Sequence, residues 1–176
     1  MINDDVYSIN EKEIMEYYGF IGTIGRLKMK LKLWRSWILH SLAYTSPLSN
    51  FIIGLQRSRG VNIGKNCHFS PYVLIDLVYP HLVTIEDNVT IGSNVMIFAH
   101  INPTANIEFK KKYYPRKINA VTIKKGAVIN PGSIIIAGVT IGENAMVSVG
   151  SVVTENVPDY CVVVGNPARV IKKIEH

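Results

Sequence analysis

Two interruptions of an otherwise regular apolar pattern carry the residues best suited to chemistry. His100 closes the hexapeptide VMIFAH and opens a long polar stretch, HINPTANIEFKKKYYPRKINA. Imidazole titrates near neutral pH, so a histidine there can take a proton from an attacking group and return it to a leaving one. Asp76, in IDLVYPHL, sits at the other interruption. A carboxylate against an imidazole holds its tautomer and favours the imidazolium that forms when it acts. The same Asp also suits a plain turn. His40, His68, His81 and His176 read as surface or packing residues. A zinc site built from three histidines needs two of them close together; His81 and His100 are nineteen apart and none follows until His176, so no catalytic metal is expected. GFIGTIG is not GxGxxG and follows no strand, and the Walker A, GxSxG and HExxH patterns are missing.

The elements that must position these groups are written in a repeat. From residue 61 onward, branched or aromatic residues recur every six positions: Ile63, Phe69, Ile75; then Ile85, Ile91, Ile97; then Ile123, Ile129, Ile135, Ile141, Val147, Val153. Four places after most of these stands a small or branched residue (Cys67, Val73, Val89, Val95, Ala127, Ser133, Val139, Ala145), and Gly, Asn, Asp and Pro collect between. A period of six matches neither a helix nor an unbroken strand. It matches short strands joined by tight turns, each coil burying its apolar row only by stacking on the next. The register breaks twice: Ile75 to Ile85 is four residues longer than one step, and Ile97 to Ile123 is twenty longer. Insertions in a solenoid leave it as loops, and such loops often carry the site. The longer one begins just after His100.

The segments IGKN, IEDNVTIGSNV, VTIGENAMVSVGSVVTENVP and GNPARVIKKI resemble the hexapeptide-repeat acyltransferases, and are similar to the galactoside and maltose O-acetyltransferase and polysaccharide-biosynthesis acetyltransferase group. The resemblance implies an all-β solenoid, a left-handed parallel β-helix of about four coils, over residues 61–158, with loops at about 77–82 and 101–120 and a C-terminal tail at 159–176. It implies acetyl-CoA as co-substrate, a homotrimer with sites between subunits, and transfer of an acyl group to a hydroxyl of a sugar or glycan precursor. His100 takes the place of the family's general base. Asp76 lies near a bulge where the family carries an acidic residue that contacts the acceptor or orients the histidine. For coenzyme A, the matching positions are Gly138, Val149 and Gly150 along the pantetheine arm, and Thr154, Arg169 and Lys172 toward the nucleotide end. The family often carries Lys after that Thr; here it is Glu155, with Lys173 able to compensate. The fold also hosts other functions. N-acetylation of an amino sugar nucleotide or amino acid, and a non-catalytic scaffold, stay open as alternatives.

Composition sets the remaining bounds. The chain has 176 residues, 48% hydrophobic and 18% charged, with a net charge of +6. That suits one folded domain with a polyanionic partner. The loop FKKKYYPRK mixes cations and aromatics, but a lone basic run is usually solvated; it receives no role, and no nucleic acid is expected. Cys67 and Cys161 make no metal or disulfide pattern, and MINDDVYSINEKE lacks the basic-then-apolar form of a secretory signal, so a cytoplasmic location is expected. Residues 1–60 read as an N-terminal helical segment packed on the first coil. Glu11 to Arg35 has helical spacing broken near Gly19, Gly22 and Gly25. RLKMKLKLWR alternates like a strand, but its Leu, Met and Lys favour helix. Between 26 and 59 there are seven basic residues and no acidic one, which marks this segment for peripheral contact with an anionic membrane.

Overall fold

The computed structural model describes residues 5–102 and 104–175; His176 and most of the polar leader MINDD lie outside the described residues. Three helices come first: α1 (Val6–Tyr17), α2 (Gly22–Thr45) and α3 (Ser49–Arg59). Asp5 caps α1, its side chain accepting from the Ser8 N–H at 2.8 Å. The chain turns between α1 and α2 on Gly19 and Gly22, both at φ +66°, a conformation that costs a side-chain-bearing residue energy. The alternating RLKMKLKLWR is helical, inside α2. The helices sit on the first coil: the Phe69 N–H donates to Ser49 Oγ at 2.9 Å, the Tyr72 N–H to the Tyr44 carbonyl at 2.7 Å, and Arg57 Nε to the Ile63 carbonyl at 3.1 Å.

The six-residue rhythm then winds into a left-handed parallel β-helix. The first coil holds β1 (Asn62–Ile63), β2 (His68–Phe69) and β3 (Leu74–Ile75), and the second β4 (Val83–Ile85), β5 (Thr90–Ile91) and β6 (Met96–Ile97). The long insertion contributes β7 (His100–Ile101), α4 (Ile107–Lys112) and β8 (Lys117–Ile118). The third coil is β9 (Val121–Ile123), β10 (Val128–Ile129) and β11 (Ile134–Ile135); the fourth is β12 (Thr140–Ile141), β13 (Met146–Val147) and β14 (Val152–Val153). β15 (Cys161–Gly165) starts a partial fifth coil, parallel to β13, and β16 (Ala168–Lys173) folds back antiparallel on β15. Cys161–Gly165 and Ala168–Lys173 therefore extend the sheet, because Cys161 and Val163 continue the buried row.

Three sheets form the faces of the prism, with orders β1-β4-β9-β12, β16-β15-β13-β10-β5-β2 and β14-β11-β6-β3. Pairing is in register along the repeat: Phe69 opposes Ile91, Ile91 opposes Ile129, and Ile129 opposes Val147. All the six-spaced residues from Phe69 to Val153 are at most 2% exposed. Each contributes about 1.5–3 kcal/mol by burial. Corners are turned with positive φ, as at Asn88 (62°) and Gly126 (70°), one coil apart. Ile129 is central in the widest sheet and wholly buried. Ile129→Ala is expected to cost about 2–5 kcal/mol, read as a lower urea midpoint.

A buried cation ties the helices to the solenoid. Arg59, 6% exposed, donates to the carbonyls of Asp76 (2.7 Å) and Ile75 (3.1 Å), to Gln56 Oε1 (2.5 Å) and to Ser36 Oγ (3.1 Å). Its remaining neighbour is His40 Nδ1 at 3.3 Å, which must accept because a guanidinium has no lone pair to offer. Burial, and then the Arg59 charge, push the His40 pKa down to about 4. The unfolded chain takes up this proton first, so stability is full above the ordinary histidine value of 6.5 and falls as pH drops toward 4. The loss is expected to reach about 3 kcal/mol. Thermal melts between pH 7 and 4 check it, and His40→Gln flattens that part of the profile.

Candidate active site

The two interruptions of the repeat meet. Both leave the helix at the corner that follows the β14-β11-β6-β3 face: Asp76 comes directly after β3, and Ala99–His100 follow β6 one coil later. The Asp76 N–H donates to the Ile97 carbonyl at 2.9 Å, which fixes the two loops in register. The Asp76 carboxylate is 1% exposed and saturated. Its Oδ1 accepts from the N–H groups of Val78 and Tyr79, both at 2.9 Å. Its Oδ2 accepts from the Ala99 N–H at 2.9 Å and lies 2.6 Å from His100 Nδ1. Burial pushes the Asp76 pKa up, but the hydrogen bonds from His100, Tyr79 and Ala99 outweigh it and hold the carboxyl below its ordinary value. Asp76 is thus ionised at neutral pH and can only accept. His100 Nδ1 therefore carries the hydrogen of that contact, and in the neutral ring the lone pair lies on Nε2.

His100 is half-buried. Its ring rests edge-on against Tyr79, centroids 5.2 Å apart at 74°. Tyr79 is fully buried, and its hydroxyl accepts from Arg116 Nη1 at 3.1 Å. Arg116 also pairs with Glu13 at 3.0 Å, and the buried Lys110 reaches Glu13 at 2.7 Å and Asn10 at 2.6 Å. Helix α1 and the long insertion therefore lock together over the Tyr79 ring. β7 and β8 pair antiparallel, His100 opposite Ile118. A groove lined by Glu13, Glu16, Tyr17, Pro115, Arg116 and Ile118 opens beside that pair. The sequence gives the basic run FKKKYYPRK no role and marks Tyr79-Pro80 as structural. Lys110, Arg116 and Tyr79 prove to be structural members of the wall around His100. The partners of Lys110 and Arg116, Asn10 and Glu13, lie about a hundred residues earlier, and no local pattern announces such a contact.

The residues matched to coenzyme A lie farther along the same prism. Gly138 follows β11 and Thr154 follows β14, so both continue the corner that carries Asp76 and His100. Val149 and Gly150 stand at the opposite margin of the same face, just before β14; Val149 is 69% exposed and Gly150 has φ +67° with open space on its Cα. Arg169 and Lys172 are exposed on β16. The residue that departs from the family, Glu155, lies 3.7 Å from Arg169. Among the described residues no group of three or more His, Cys, Asp or Glu side chains converges as a metal-ligand set.

A triangular parallel solenoid with a carboxylate-held imidazole at its widened corner is a frame for acyl transfer, and relatives agree. No family model matches the chain. YvoF of Bacillus subtilis, which carries an acetyltransferase name, is 32% identical over 142 residues, covering 80% of this chain and 77% of the relative. A serine acetyltransferase of the same organism is 28% identical over 182 residues, covering 97% of this chain and 76% of the relative. A galactoside acetyltransferase solved in complex with coenzyme A superposes with a TM-score of 0.66 at 27% identity, covering 84% of this chain and 82% of the other. The chain belongs to the hexapeptide-repeat acyltransferases.

Proposed function

We propose that the protein is an acetyl-CoA-dependent O-acetyltransferase acting on a hydroxyl of a sugar or glycan precursor. The observation that carries this reading is the 2.6 Å contact between His100 Nδ1 and the buried, ionised Asp76. It leaves Nε2 as a proton acceptor. A hydroxyl is a poor nucleophile until its proton is withdrawn, whereas a neutral amine attacks without help, so a built base favours an alcohol acceptor. The galactoside acetyltransferase likeness supports a sugar, and its coenzyme A supports the donor.

In the reaction, donor and acceptor occupy the site together and no acyl-enzyme forms. The acceptor oxygen attacks the thioester carbonyl as its proton passes to Nε2. Negative charge moves to the carbonyl oxygen, which a backbone N–H at the coil edge stabilises. The C–S bond then breaks, and the imidazolium returns the proton to the departing CoA thiolate. Asp76 stabilises the imidazolium between those two transfers. The pantetheine arm runs by Gly138, Val149 and Gly150, with Thr154, Arg169, Lys172 and Lys173 toward the phosphates. The working unit is a homotrimer in the cytoplasm.

Free-thiol release from acetyl-CoA, measured across galactosides, other sugar conjugates, an amino sugar nucleotide and serine, tests the acceptor class. Release is expected with a sugar hydroxyl. Turnover confined to amine acceptors would replace O-transfer with N-transfer, and turnover confined to serine would remove the sugar.

A further inference from the structure

Helix α2 faces the wrong way for a helix that only caps a solenoid. A surface helix ordinarily turns its apolar stripe inward and its polar side out. The side of α2 that packs on the protein is Gly25, Met29, Ser36, His40 and Ala43, largely small or polar. The opposite side carries Ile24, Leu27, Leu31, Trp34, Ile38 and Leu42, three or four residues apart and so on one line of the helix. Five of them are 53–69% exposed, and Ile38 is half-buried. Leu31, Trp34, Ile38 and Leu39 line a shallow groove with Arg35 at its edge. Cations border the stripe on both sides, Lys30 along one margin beside Arg26, which pairs with Glu11 at 2.9 Å, and Lys28 and Arg35 along the other, all exposed. An apolar stripe this long in water implies something that covers it.

We propose that the outer face of α2 docks on an anionic lipid leaflet. The charge pattern selects this occupant. A second copy of the chain laying its own α2 against the stripe would set cation margins against cation margins, since 26–59 contains no acidic residue. A leaflet rich in anionic headgroups is complementary to both margins while its acyl region takes the stripe. Trp34 and Trp37, 62% and 56% exposed, are the residue type that settles at a membrane–water boundary. Among the described residues no helix is long and apolar enough to cross a membrane, so α2 lies in the interface plane. Docking also has a consequence for the site. Ser36, on the inner side, donates to the Leu77 carbonyl at 2.8 Å, next to Asp76. The catalytic corner then stands about one helix diameter, ~10 Å, above the leaflet.

The test uses the chain's only two tryptophans, both in α2. The full-length protein is mixed with phosphatidylcholine vesicles with or without one part in three of phosphatidylglycerol, and read by tryptophan emission and flotation. The expected result is a blue shift and co-flotation with the anionic vesicles only, both reversed by about 0.5 M salt. Trp34→Phe removes more of the shift than Trp37→Phe. Each of Lys28→Gln and Lys30→Gln weakens partitioning about five-fold. The exposed triple change Leu27→Gln, Leu31→Gln, Trp34→Gln abolishes flotation while thiol release in vesicle-free buffer is unchanged, which shows that the fold is intact. Absence of flotation and shift with anionic vesicles overturns the proposal, as does equal, salt-insensitive binding to neutral ones. Emission that is already blue-shifted without vesicles and moves to the red as scattering mass falls on dilution would show a second copy on the stripe instead.

Discussion

His100→Ala is expected to lower kcat for acetyl transfer by about a hundred- to ten-thousand-fold, with the dissociation constant for coenzyme A within about two-fold of the parent. In the proposed reaction the imidazole acts in the proton transfers, and its hydrogen-bond and ring partners are Asp76 and Tyr79, not the residues matched to the cofactor. The substitution also removes little that holds the fold: His100 is half-buried, at the start of β7 in the long insertion, outside the apolar ladder. Residual turnover is then set by how well the site aligns two bound reactants without a base. Stopped-assay kinetics beside calorimetric titration of coenzyme A separate the two quantities. Undiminished kcat would remove His100 from the chemistry. A parallel loss of coenzyme A binding would assign it to the donor pocket instead.

How much of this was written in the sequence differs by element. The solenoid was legible because its core residues repeat at a fixed step, so every coil restates the same burial requirement; Ile91, Ile129 and Val147 pair in the order that their spacing implies. The corner that carries Asp76 and His100 was legible for the same reason, since an interruption in a strict rhythm has one place to go. The partial fifth coil was not. Its strand β15 lies outside the six-residue row, with Val163 ten residues after Val153, and it joins the coils by register with β13. The surroundings of the pair were hidden more deeply. In the sequence Arg59 is one cation in a basic stretch and Tyr79 one residue of IDLVYPHL; the structure bonds the Arg59 guanidinium to the Asp76 carbonyl and sets the Tyr79 ring against His100. Those roles arise from contacts between helix and coil, which depend on how two amphipathic elements dock and leave no period to read. The outward stripe of α2 lay in the sequence too, but spacing alone says that a face is apolar, not which way it looks.

Asp76→Asn carries the second large effect, and it separates orientation from simple packing. The native carboxylate accepts on both oxygens, from Val78 and Tyr79 N–H on one and from Ala99 N–H and His100 on the other. An amide offers one accepting oxygen and one donating NH2. With the oxygen toward Val78 and Tyr79, the NH2 confronts the Ala99 N–H and the ring. His100 then relieves the clash by accepting at Nδ1, which moves its hydrogen to Nε2 and leaves no base toward the acceptor. With the amide turned over, the NH2 meets two backbone donors instead. The first arrangement loses one buried contact and the second two, each at about 1–3 kcal/mol of stability. The expected fall in kcat is about a thousand-fold, with coenzyme A binding retained, because the wrong tautomer removes the base as thoroughly as deleting it. Nitrogen-15 NMR of the histidine rings reads the tautomer directly: hydrogen on Nδ1 of His100 in the parent and on Nε2 in the variant. A variant that unfolds more easily yet keeps both its turnover and its Nδ1 hydrogen would reduce Asp76 to a turn residue. In the opposite case the low kcat of Asp76→Asn and the low kcat of His100→Ala combine with no further loss in the double variant, since each removes the same proton acceptor.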